Sequence, residues 1–120
     1  MTSLTREQIL ACQDIKIEEV QVPEWGGSVF VKSLTGKELD LYQAGIVKMR
    51  GKDVQEISYV NMRAKLVAMA LCDAEGKRMF SEADVEALAA KSAGALNRVF
   101  LTAQRISGLD KTEVEDISKN

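Results

Sequence analysis

At 120 residues the chain is long enough for one domain and too short for two ordinary ones, and a domain of this size buries roughly two thirds of its unfolded surface. It contains no histidine, which removes Ser–His and Cys–His nucleophile pairs and every histidine-based zinc site. A net charge of −2 and a pI near 5.2 argue against a dedicated nucleic-acid binder, whose affinity comes from a basic surplus.

In chain order, helix starts share one local device: an apolar residue, a capping residue, and an acid or Gln three places on. The cap oxygen takes an orphan backbone N–H, the later side chain reaches back to the cap, and the flanking apolar pair sets the entry angle. "LTREQI" shows it first, with Thr5 as cap, Gln8 as partner, and Leu4 and Ile9 as the apolar pair. "IKIEEVQV" (15–22) is rich in β-branched residues, with Val20 and Val22 on one face and Glu19 and Gln21 on the other. Ile15 and Ile17 are out of phase with that pair, which predicts a bulge or a strand start near Glu18. "PEWGG" is turn chemistry, with Pro23 fixing φ and the glycine pair free to take positive φ. "SVFVKSL" then sets Val29 and Val31 inward against Phe30 outward, so the two runs read as an antiparallel hairpin over about 17–33.

Leu34, Thr35, Glu38 and Leu39 repeat the start signal and open a helix, "GKELDLYQAGIVKM", with Leu39, Tyr42, Ile46 and Met49 on one face. The "TGK" inside this stretch is not a phosphate loop. Val31 stands where the first glycine is needed and Glu38 where the hydroxyl should be, which would put a carboxylate among the phosphates. "RGKDVQEIS" (50–58) is polar and reads as a loop leading into the next helix. That helix, "YVNMRAKLVAMALCD", places Val60, Ala64, Val67 and Leu71 on one stripe with Met69 beside it, and its apolar remainder predicts the most buried helix.

"DAEGKRMF" reads as a turn at Gly76 with a short β excursion. As a calcium loop it fails, because the sixth position is Arg78 and the third and fifth are Glu75 and Lys77; Asp73, Glu75 and Asp84 are expected to be solvated. "FSEADV" (Phe80, Ser81, Asp84, Val85) starts a short helix with Val85 and Leu88 inward. A weaker start at Ser92 opens a longer one, with Leu96, Val99, Phe100, Ala103 and Ile106 as its stripe and Gly108 as a left-handed cap. "LDKTEV" signals one more start at Asp110, but the tail after it holds few apolar residues. The expected fold is α+β: a single small domain over 1–109, one hairpin packed with four to five helices, mainly helical after residue 35. Residues 110–120 are expected to be a weakly ordered tail or short helix.

Cys12 and Cys72 stand too far apart for a CxxC motif, and two thiols cannot make a four-thiolate metal site. Cys72 is expected to be a small buried hydrophobe. The start has no basic region followed by an apolar run, so no signal peptide is expected, and no apolar stretch approaches a membrane span. Neither a catalytic residue, a cofactor nor a metal site is expected, and by exclusion the work is binding. Trp25 reads either as a core plug or as a partner anchor at a turn tip; Phe30 must be covered by a helix or offered to another protein. The basic residues Lys48, Arg50, Lys52, Arg63 and Lys65 are diluted by Asp53 and Glu56, so no nucleic-acid contact is expected.

The order of these segments resembles the tail assembly chaperone family of long-tailed bacteriophages and prophages. The likeness runs over residues 4 to about 117, and its most specific parts are "VPEWGG", "LTGKE", "LCDAEGKRMFSEADVEAL" and "RVFLTAQRISGL". None is a catalytic motif, so the resemblance rests on order and wording. It implies a cytoplasmic protein of the bacterial host, scarce in the mature virion. Such a protein binds the tape measure protein, keeps it soluble and helps recruit tail tube protein around it. Many such proteins also exist in a longer form made by programmed ribosomal frameshift; here the extension would begin at "VEDISKN". On this reading Trp25, Phe30, Val99 and Phe100 are the candidate partner-binding residues, and self-association would use the same apolar patches. The alternatives are a structural tail or head–tail connector component of the virion, and a protein-interaction module unrelated to phage.

Overall fold

The computed structural model describes residues 3–50, 54–57 and 60–109. The start signals act where they fall within it. Thr5 Oγ1 accepts from Gln8 N at 3.2 Å while Gln8 Oε1 accepts from Thr5 N at 2.9 Å, opening α1 (Arg6–Ala11). Thr35 and Glu38 exchange the same two bonds at 3.1 and 2.9 Å at the start of α2 (Gly36–Ile46). Ser81 and Asp84 form a third capping box, around a 3₁₀ turn (Glu82–Asp84) that leads into α4 (Val85–Ala89). Asp84 is therefore a cap partner and not merely a solvated acid. Ser92 caps α5 (Ala93–Ile106) by accepting from Ala95 N at 3.3 Å. The start expected at Asp110 lies outside the described residues.

Helix α5 ends as its sequence predicts. Gly108 takes φ +76°, its N–H donates to Arg105 O, and Leu109 N donates to Gln104 O, both at 3.1 Å. These are the two bonds of a Schellman cap, and Leu109 packs back on the core beside it.

The hairpin pairs β1 (Ile17–Val22) with β2 (Gly27–Lys32) in unbroken antiparallel register, from Ile17 opposite Lys32 to Val22 opposite Gly27. The out-of-phase isoleucines are resolved by a strand start at Ile17 and no bulge: Ile15 and Ile17 both stay exposed. Glu18, Val20 and Val22 share the core face with Val29 and Val31, whereas Glu19 and Phe30 share the other. The turn is a 3₁₀ turn, Pro23–Trp25, closed by Gly26 at φ +76°; of the glycine pair only Gly26 is left-handed.

Three features depart from the sequence reading. Helix α2 stops at Ile46, and Val47–Arg50 (β3) pairs antiparallel with Val54–Ile57 (β4). Met49 is therefore in a strand, and a second hairpin stands where a helix end and a loop were expected. The central helix α3 is only Met62–Ala70, preceded by Asn61 at φ +63°, which leaves Val60 outside it and 71% exposed. Leu71 and Cys72 then leave the helix as β5, which adds to β2 with Phe30 opposite Cys72 and Val31 opposite Leu71. The sheet is thus ordered β1-β2-β5, and the short β excursion expected within residues 73–80 is a single antiparallel bridge of Arg78 with Cys72.

Five helices and a three-stranded antiparallel sheet among the described residues make the α+β domain. Helix α5 lies on the core face of β1 and β2, and α3 packs between α5, α4 and α2. As expected, α3 is the most enclosed, with Ala64, Leu66, Val67, Ala68, Met69 and Ala70 all buried.

Candidate partner-binding surface

Two ion pairs fasten the hairpin to α5. Arg98 Nε donates to both carboxylate oxygens of Glu24, at 3.0 and 3.2 Å, and Arg105 reaches Glu18 on the core face of β1. A Cβ on Gly94 would come within 3.1 Å of Glu24 Oε2, so the start of α5 lies against the hairpin tip. A backbone hydrogen bond, reinforced by Arg98, lowers the Glu24 carboxyl below its ordinary value.

That strap determines where the sequence-identified residues sit. Trp25 is half-buried and packs on the core beside α5. Phe30 is half-buried on the opposite side of the sheet, in register with the buried Cys72. Val99 is fully buried and Phe100 is 6% exposed. Arg63 from α3 lies over the Phe100 ring at 5.7 Å to the centroid and donates to Asn97 Oδ1 at 3.2 Å. The structure therefore brings Trp25, Val99 and Phe100 to the core side and leaves Phe30 on the other; the four do not form one surface patch.

The apolar surface lies elsewhere. Leu4, Ile9 and Leu10 on and beside α1 are 66%, 57% and 69% exposed, and α1 buries none of its residues. A cleft of about 470 Å³ opens between α2, α3 and the segment leading into α4. Tyr42, Ala68 and Met69 line it, Leu41 and Val60 stand exposed at its rim, and Lys65, Arg78, Glu82 and Glu86 supply charge. Lys65 Nζ donates to Gly45 O at 2.8 Å and Arg78 Nε to Ala68 O at 3.1 Å. Glu86 accepts from Asn61 Nδ2 at 2.7 Å. Tyr42 is 1% exposed and burial pushes its hydroxyl up to about 12, so it stays protonated. Leu4 and Ile9 were legible as a capping staple, but nothing in the sequence distinguished a helix that packs on the core from one that projects.

The chemistry of these groups is structural. Asp73 Oδ1 accepts from Glu75 N at 2.9 Å and Lys77 N at 3.0 Å, closing the turn after β5. Backbone N–H groups, that of Lys77 foremost, hold its carboxyl below the ordinary value, so Asp73 is a turn-former and not simply a solvated acid. Cys72 is buried, and burial raises its thiol; Cys12 is exposed. Among the described residues no group of three or more Cys, Asp or Glu is placed to hold a metal ion, and no helix is long and apolar enough to cross a membrane.

A family model described as phage tail assembly chaperone matches residues 5–120. The chain belongs to that family. Neither a curated protein nor a solved structure gives a significant match. For the phage tail assembly chaperone, membership carries a role in tail assembly through protein partners, a role that is not enzymatic.

Proposed function

We propose that this chaperone binds the tape measure protein non-covalently in the cytoplasm of the bacterial host, keeps it soluble and helps recruit tail tube subunits around it. The observation that carries the reading is the family match over residues 5–120, in a domain that offers apolar side chains at its surface. A tape measure protein is a long helical chain with apolar seams, and a groove or helix laid over such a seam is a recurrent mode of recognition. Trp25 and Phe30 keep enough surface for direct contact, with Val99 and Phe100 supporting Trp25 from the core side.

Co-expression tests this. With the chaperone present, tape measure fragments should move from the insoluble to the soluble fraction and co-purify with it; fragments that stay insoluble and do not bind would refute the role. Trp25→Ala should reduce capture while circular dichroism stays unchanged, and undiminished capture would take Trp25 out of the contact. Mass spectrometry of purified virions should find little of the chain; stoichiometric amounts would favour a structural component.

A further inference from the structure

The two edges of the three-stranded sheet differ. The edge of β5 is taken by its own turn, where Met79 N donates to Leu71 O, Asp73 N donates to Lys77 O and Arg78 bridges to Cys72. Strand β1 pairs with β2 and stands at the other end of the order β1-β2-β5. Ser33 N donates to Lys16 O at 2.8 Å. That bond sets the phase of the ladder, so the bonds from β1 to β2 are made at Glu18, Val20 and Val22. The N–H and C=O groups of Ile17, Glu19 and Gln21 therefore point away from β2, and among the described residues no backbone bond takes them.

Edge strands are ordinarily guarded by proline, lysine, a bulge or an inward-pointing charge. The six residues of β1, "IEEVQV", contain neither proline nor lysine and run in unbroken register. Glu18 does point inward, but Arg105 neutralises it. At about 3.4 Å per residue the open edge is about 20 Å long, the length of an ordinary strand.

The groups along this edge define what fits it. Alternating outward N–H and C=O groups require an extended backbone, whereas a helix satisfies its own internally. On the core face Val20 is half-buried at the margin of the core, so the residue added opposite it is apolar. On the outer face Glu19 is exposed. Its carboxylate accepts from Ser28 Oγ, and among the described residues no cation pairs with it. A Lys or Arg opposite Glu19 supplies that charge.

We propose that β1 accepts an extended segment of a partner protein as an added strand, apolar on the core side and basic opposite Glu19. The site is separate from the tape measure reading, because a helical client has no free backbone groups to offer this edge.

The test is residue-resolved amide exchange by NMR on the full chain, with a synthetic probe. The probe is a short peptide of valines alternating with threonines, with one central threonine replaced by lysine. Methylating its valine nitrogens leaves free the amides that face β1 and keeps the peptide from stacking on itself. With this probe, exchange at Ile17, Glu19 and Gln21 should slow by about tenfold or more, while Glu18, Val20 and Val22, already bonded to β2, change little. Methylating the threonine and lysine nitrogens instead should abolish the effect. Glu19→Lys should weaken binding about tenfold, and a probe with glutamate in place of its lysine should restore it; Glu19 is exposed, so the fold is not at stake. No protection, equal protection by both methylated probes, or a charge swap without rescue would each overturn the proposal. So would slow exchange at Ile17, Glu19 and Gln21 in the free chain, which would mean that the edge is already filled, by another part of the chain or by a second copy.

Discussion

Truncating Phe100 to alanine should cost the domain about 3–5 kcal/mol, the range seen when a buried aromatic is cut back and the hole closes only in part. The ring is 6% exposed on a helix that packs against both α3 and the sheet, so there is little room for collapse. The change also removes the Arg63 guanidinium's partner at 5.7 Å, an interaction worth about 0.5–1 kcal/mol at an exposed site. Domains of this size are stable by about 5–15 kcal/mol, so about a fifth or more of the total is at stake. Urea unfolding can be followed by the fluorescence of Trp25, the single tryptophan. With a slope of about 1–3 kcal/mol per molar urea, the midpoint should fall by about 2 M. Phe100→Leu keeps most of the volume and should cost about 1 kcal/mol, which leaves a folded variant whose capture of tape measure fragments should match wild type. A midpoint shift under about 0.5 M at unchanged slope would show that the core does not enclose the ring. Weakened capture by Phe100→Leu would return Phe100 to the contact surface.

Native protein should react with one equivalent of a thiol reagent, at Cys12, and with a second only after unfolding, because Cys72 is buried with its thiol raised; rapid labelling of both would contradict the packing of β5. Two glycine substitutions should have opposite signs in the same urea assay. Gly108 has φ +76° with open space around a Cβ, so Gly108→Ala should cost about 1 kcal/mol, while Gly36→Ala in the first turn of α2 should add about 0.5 kcal/mol. Acid should destabilise the fold through Glu24 and Asp73, whose folded-state values are both lowered. Their contribution is present above the ordinary carboxylate range and is lost as the pH falls through the lowered values. The melting temperature should therefore drop as the pH falls below the ordinary carboxylate range, and less steeply in Glu24→Gln/Asp73→Asn.

The sequence was most informative where a local bond decides the structure. Capping boxes at Thr5, Thr35 and Ser81, the Schellman glycine at 108 and the alternation of Val29, Phe30 and Val31 each depend on neighbours within a few residues, and each is found. Reading failed where two periods coincide. Leu39, Tyr42, Ile46 and Met49 fit a helical stripe, yet Val47 and Met49 fit a strand equally well, and pairing with residues 54–57 settles the matter in favour of β3. Leu71 likewise continues the α3 stripe but finds Val31 across the ladder, and backbone pairing to β2 outweighs one more helical turn. Such choices are made by partners distant in sequence, which a local pattern does not contain. The candidate site suffered in the same way. The stripe that marks Val99 and Phe100 as apolar does not say which side of the domain it faces, and the projection of α1 leaves no trace in its own six residues.

The fold keeps the groups that hold it together apart from those it offers outward. Glu18–Arg105 and Glu24–Arg98 strap the hairpin to α5 over a core drawn from α3, α5 and the inner sheet face, and Val99 and Phe100 belong to that core. Among the large exposed apolar side chains outside it are Leu4, Ile9 and Leu10 on and beside α1 and Leu41 and Val60 at the cleft rim. Exposed positions of this kind change stability by no more than about 0.5 kcal/mol when substituted, so they can be altered without unfolding the domain. For a tail assembly chaperone that separation has a physical use. An apolar contact made outside the core can be released without disturbing the core, so letting go of a client requires no unfolding of the domain that held it.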